Sequence, residues 1–153
     1  MENAARLGLA ELDTKRGAEQ GFEHMLKHPV TDDELPVGLR LLGFDADAYA
    51  AKVREQQKRR TDAMRRSRKN VPTPDDLESD AIDLLCAVTV GFVGQFICDS
   101  EELANLFGVA KGDPVPGTQE ALRKFYRRFP AFREQADLAM SDRRNFTKAS
   151  GAI

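Results

Sequence analysis

The sequence has no tryptophan, two tyrosines, two cysteines and two histidines among 153 residues. Cys86 and Cys98 form no CxxC pair and the histidines, His24 and His28, are distant from them in the chain, so neither a disulfide framework nor a zinc site is expected. No run of about 18 apolar residues occurs, and no membrane span is expected. The opening MENAARLGLAELDTKRG lacks a basic stretch followed by an apolar core; no secretory leader is expected, and the protein is expected in the cytoplasm where it is made. Gly112 and Gly117 are not followed by the GK[ST] that would present a lysine and a hydroxyl to a phosphate. Asp76, Asp80 and Asp83 have metal-like spacing but no histidine nearby, and read as a solvated helix face. With no nucleophile and base in a recognisable arrangement, neither an enzyme nor a cofactor is expected.

Charge is plentiful but unevenly placed. Residues 1–51 carry five basic and ten acidic groups, residues 52–69 nine and two, and residues 70–153 nine and thirteen. One basic segment therefore sits between two acidic ones, and the net charge is only −2. That balance favours neither nucleic acid nor membrane as a partner.

The periodicities predict an α+β, predominantly helical fold, in which a β-hairpin and a long basic helix precede a small helical domain. Residues 1–17 read as a flexible arm. Within 18–70, Phe22, His24 and Leu26 alternate with Glu23, Met25 and Lys27, and Val37, Leu39 and Leu41 alternate after a turn-rich HPVTDDELP, which predicts an antiparallel hairpin. Such a hairpin needs a covering layer or a further strand, and its outer edge is a place where a partner or a second copy could add a strand. Asp45 or Asp47 is a candidate cap for a helix running through Lys69, with Tyr49, Val53 and Met64 as its few large apolar residues. The run after Val53 cannot be buried in an ordinary core. Solvation, docking on an acidic protein and nucleic-acid binding are the three uses open to it, and the absence of interleaved aromatics counts against nucleic acid.

In the helical domain, 71–147, Thr73 and Pro74 predict a helix start, with Leu77, Ala81, Leu84, Leu85 and Val88 on its inner face. TVGFVG follows as a short turn or strand, and Asp99 with Glu102 is a candidate capping box for a helix over Glu101 to Phe107. Leu122, Phe125, Tyr126 and Phe129 then fall at helical i, i+3, i+4 and i+7, with Arg123, Lys124, Arg127 and Arg128 off that face. Pro130 predicts a stop or kink, beyond which Phe132, Ala136, Ala139 and Met140 continue the stripe. The ordinary use of such a stripe is core packing; the alternative is a concave aromatic corner that receives a partner helix. Residues 148–153 read as a frayed tail.

FYRRFPAFREQAD followed by DRRNF resembles the C-terminal signature of phage tail assembly chaperones, small non-structural proteins of long-tailed phages. The matching positions are Phe125, Tyr126, Arg128, Phe129, Pro130, Phe132, Arg133, Glu134, Gln135, Asp137, Asp142, Arg143, Asn145 and Phe146, with Ala131 where the family often has an aromatic. The earlier run is similar to the family's N-terminal half at His28, Pro29, Leu42, Gly43, Asp45, Asp47 and Tyr49, and TVGFVG to its TVGW.G element. The resemblance implies a protein that binds the tape-measure protein and helps recruit tail tube protein during assembly, acts in the host cytoplasm and is absent from the mature virion. It leaves a homo-oligomer open. The candidate contacts are Phe125, Tyr126, Phe129 and Phe132, rimmed by Arg123, Arg127 and Arg128, together with the basic helix through Arg59, Arg65, Arg66, Arg68 and Lys69. The alternatives are a structural minor tail or connector component of the virion, and a nucleic-acid-binding regulator using residues 52–69.

Overall fold

The alternation at Phe22, His24 and Leu26 does produce a strand, and the sheet it joins has three members rather than two. A computed structural model describes residues 4–66 and 71–147. Strand β1 (Phe22–Lys27) pairs antiparallel with β2 (Glu34–Leu41), His24 opposite Leu39. The third strand, β3 (Thr89–Val93), pairs antiparallel on the other side of β2, Phe92 opposite Leu39. The extension a lone hairpin needs is thus supplied from beyond the long helix, by the TVGFV segment.

The helices are α1 (Thr14–Gln20), α2 (Asp47–Arg66), α3 (Pro74–Val88), α4 (Glu101–Phe107), α5 (Gln119–Arg128) and α6 (Pro130–Ser141). The fold is α+β and mostly helical. α3 starts on a capping box in which the Thr73 hydroxyl accepts from the Asp76 amide and the Asp76 carboxylate accepts from the Thr73 amide. That arrangement holds the Asp76 carboxyl below the usual carboxylate range. For α4 the cap is Ser100, whose hydroxyl accepts from the Leu103 amide, and not the expected Asp99.

Three other expectations are corrected. The arm assigned to residues 1–17 has no boundary at 17, because α1 runs through it. Asp13 caps that helix at the Arg16 amide, and Gly17 packs against the Phe146 backbone so closely that an added Cβ would lie 1.6 Å from the Phe146 carbonyl oxygen. Asp45 does not cap α2: its carboxylate accepts from the Thr14 hydroxyl and from Arg143, while the Asp47 amide donates to Glu19. The inner face of α3 is Ile82, Leu85, Cys86 and Val88, whereas Leu77 is 51% exposed.

One core joins the two segments that the sequence divides at residue 70. Leu26, Leu39 and Leu41 of the sheet are in the same buried cluster as Ile82 and Leu85 of α3, Leu122, Phe125 and Tyr126 of α5, and Ala136 and Met140 of α6. Each large side chain so enclosed contributes about 1.5–3 kcal/mol.

Candidate functional site

Pro130 ends α5 and starts α6 with no intervening loop. Its missing amide proton is harmless in a first helical turn, and Phe129 serves as the joint, at φ −119° and ψ 75°. The bend brings the stripe of α5 round to face that of α6, and Phe125 stacks on Phe132 with ring centroids 5.9 Å apart and planes 10° from parallel. The space between is already filled from within the chain. Phe92 of β3 and Phe96 of the following loop meet Phe125 edge-on at 5.2 and 5.0 Å. Phe125 and Tyr126 are 1% and 0% exposed, so in this fold neither reaches a client; Phe129 and Phe132 are half-buried. Tyr126 also makes a buried hydroxyl–hydroxyl hydrogen bond of 2.6 Å with Thr89, whose own oxygen lies 2.6 Å from the Leu85 carbonyl. Burial pushes the Tyr126 hydroxyl well above the usual phenol range.

The arginines proposed as a rim are occupied. Arg123 bonds Asp83 at 2.8 Å, Arg127 bonds Ser79 at 2.9 Å and lies 3.6 Å from Glu78, and Arg128 bonds Glu102 at 2.8 Å. Arg133 of α6 also reaches Glu78, at 3.2 Å. These pairs tie α5 and α6 to α3 and α4.

The second candidate surface is α2. Its Gln56 is buried and donates to the Asp80 carbonyl of α3, and Arg59 and Arg60 share the Asp80 carboxylate. A groove of about 420 Å³ lies between the two helices, with Ala63, Met64 and Pro72 as its apolar part. Met64 is 63% exposed. Arg65 and Arg66 are exposed, and so are Arg54 and Lys58, which the sequence reading passed over. None of these four has an ion-pair partner among the described residues. Arg68 and Lys69 lie outside the described residues.

Three aspartates of α3 are engaged, Asp76 in its cap, Asp80 with α2 and Asp83 with Arg123. No group of three metal-ligating side chains occurs among the described residues. His28 turns its Nδ1 inward to accept from the Val30 and Thr31 amides, closing the hairpin turn. His24 is half-buried with its Nε2 unbonded, and burial lowers its pKa. Both cysteines are buried and reduced; burial pushes the Cys86 thiol to about 11. The outer edge of the hairpin is partly capped from within, because the Gln135 side-chain amide accepts from the Lys27 amide and donates to the Lys27 carbonyl.

A third assembly joins the two ends of the chain. Arg143 forms a two-pronged ion pair with Asp45, at 2.8 and 3.0 Å, and its guanidinium sits 4.3 Å from the centre of the Phe44 ring. This contact holds the Asp45 carboxyl below the usual range. The Phe44 amide donates to the Met140 carbonyl, and Phe146 packs edge-on against Phe22 at 4.9 Å while closing over Gly43. Gly43 is needed here, since an added Cβ would lie 2.7 Å from the Ala18 side chain and 3.0 Å from the Phe146 ring.

Compared with protein families, with curated proteins and with solved structures, the chain matches none. Among the described residues no helix is long and apolar enough to cross a membrane.

Proposed function

We propose that this protein is a tail assembly chaperone of a siphophage-like or prophage tail. In this reading it binds the tape-measure protein in the host cytoplasm, helps recruit tail tube subunits and is left out of the finished virion. One observation carries the reading: the two separated motifs behind the resemblance are parts of a single contact. Gly43 and Asp45 come from the first motif, Arg143 and Phe146 from the second, and they meet although Asp45 and Arg143 are 98 positions apart. Residues that must fit one another in space are expected to recur together in sequence, so the interlock is a physical reason for the paired motifs. It also assigns the motifs to folding. The client surface then lies elsewhere, and the outward side of the far half of α2 is a basic surface that the core and the in-chain ion pairs among the described residues leave unused.

The test is co-expression with the tape-measure protein of the same genome. A soluble tape-measure protein that co-purifies with the chain is the expected result. Failure of both, or this chain in purified virions at the stoichiometry of a structural subunit, would replace the reading with that of a tail or connector component.

A further inference from the structure

We infer that the outward stripe of α2 is a docking surface for an acidic, helix-forming segment of a partner protein. This deepens the chaperone reading and rests on it for the partner's identity. With Gln56 turned onto α3, a rotation of about 100° per residue places Arg54, Lys58, Thr61 and Arg65 on the opposite side of α2, with Arg66 about 100° further round than Arg65, past Asp62. Those four and Arg66 are exposed. Arg54, Lys58 and Arg65 stand at i, i+4 and i+11, a row about 16 Å long. Carboxylates on one face of a facing helix recur at the same interval, so the row and its counterpart match along their lengths.

Three observations select protein carboxylates as the occupant. First, the stripe is an unbalanced charge: Arg54, Lys58, Arg65 and Arg66 have no in-chain ion-pair partner among the described residues, while Arg123, Arg127, Arg128 and Arg133 each have one. Second, the excess is local. Residues 52–69 hold nine basic and two acidic groups, against fourteen and twenty-three in the rest of the chain. An acidic remainder repels a long polyanion such as duplex DNA while leaving a short acidic segment free to approach. Third, the far half of α2 carries no aromatic residue on which bases could stack. Arginine at three of the four positions suits two-pronged pairing with carboxylates. A surface so polar binds through charge and releases readily, which suits a partner that has to be passed on.

The probe is a pair of helical peptides of identical composition, one with its glutamates at i, i+4, i+7 and i+11 on one face and the other with them scattered. Binding to the full chain is followed by fluorescence anisotropy at low and physiological salt. The faced peptide is expected to bind better and to weaken with salt. Affinity should fall by roughly tenfold in a variant combining Arg54→Gln, Lys58→Gln, Arg65→Gln and Arg66→Gln, and should be unchanged by Arg40→Gln. Equal binding of the two peptides, tighter binding of duplex DNA or of anionic vesicles, or self-association that the fourfold variant abolishes would overturn the proposal. In the co-expression assay, a folded fourfold variant that still retains the tape-measure protein would overturn this surface and leave the chaperone reading standing. If the unsubstituted chain does not retain it, that reading falls and the peptides alone decide the surface.

Discussion

Helix α5 and the far half of α2 are similarly rich in arginine and lysine, yet their charges end in opposite situations. On α5 the cations flank an apolar stripe. Docking that stripe brings Arg123, Arg127 and Arg128 down beside carboxylates or hydroxyls of α3 and α4, and each finds a partner. On α2 beyond Val53 there is no such stripe. Among the described residues the side facing α3 is engaged, through Gln56, Arg59 and Arg60, and the cations of the opposite side have no ion-pair partner. A basic residue beside buried aromatics is thus drawn into the fold by its neighbours, and one on an all-polar helix is left for something outside it.

Substitutions can break this contrast in order of size. Phe125→Ala empties the centre of the aromatic cluster and should cost about 3–5 kcal/mol, read as a lower urea midpoint or outright failure to fold. Loss of the midpoint by less than a third of that would mean the cluster is looser than its ring contacts indicate. Gly17→Ala forces a methyl group into the Phe146 backbone and should cost about 1–3 kcal/mol, with proteolysis near residue 17 reporting whether α1 has undocked. Tyr126→Phe keeps the ring and removes the bond to Thr89, for a loss of about 1 kcal/mol; a neutral result would show that the Leu85 carbonyl alone satisfies the threonine.

His24 supplies a pH test. Its pKa is lowered in the fold, so below about pH 6.5 the unfolded chain takes up a proton more readily than the folded one, and stability falls as pH drops from there towards the lowered value. His24→Leu should flatten that slope below about pH 6.5 and remove the unbonded Nε2. A slope unchanged in the variant would assign it to other groups. The smallest effect is expected for the fourfold α2 variant used above, within about 0.5 kcal/mol of the parent. A larger drop would show that those cations support the fold.

Much of the fold was legible. The period-2 alternation located β1 and β2, the Thr73–Pro74 start located α3, and the stripe with Pro130 located α5 and α6. These features depend on neighbours in sequence, where propensity, capping and periodicity act. The candidate site was legible only in part. The stripe Phe125, Tyr126, Phe129, Phe132 marks an aromatic cluster but gives no sign that Phe92 and Phe96 occupy its open side, because a stripe looks the same whether its cover comes from the chain or from a partner. Nothing in the sequence singles out Arg54 and Lys58, because a cation becomes notable only once its neighbours are seen to be paired.

The sequence by itself determined where the hairpin strands and most of the helices lie, that residues 52–69 are basic within an acidic chain, and that the second half of α2 cannot be buried, since these follow from composition and local spacing. Only the tertiary structure decided which aromatics are sealed, which cations are neutralised, and that Asp45 meets Arg143. Those outcomes depend on long-range contacts that close one core across the whole chain, and no local rule determines which of two similar basic helices that core will draw in.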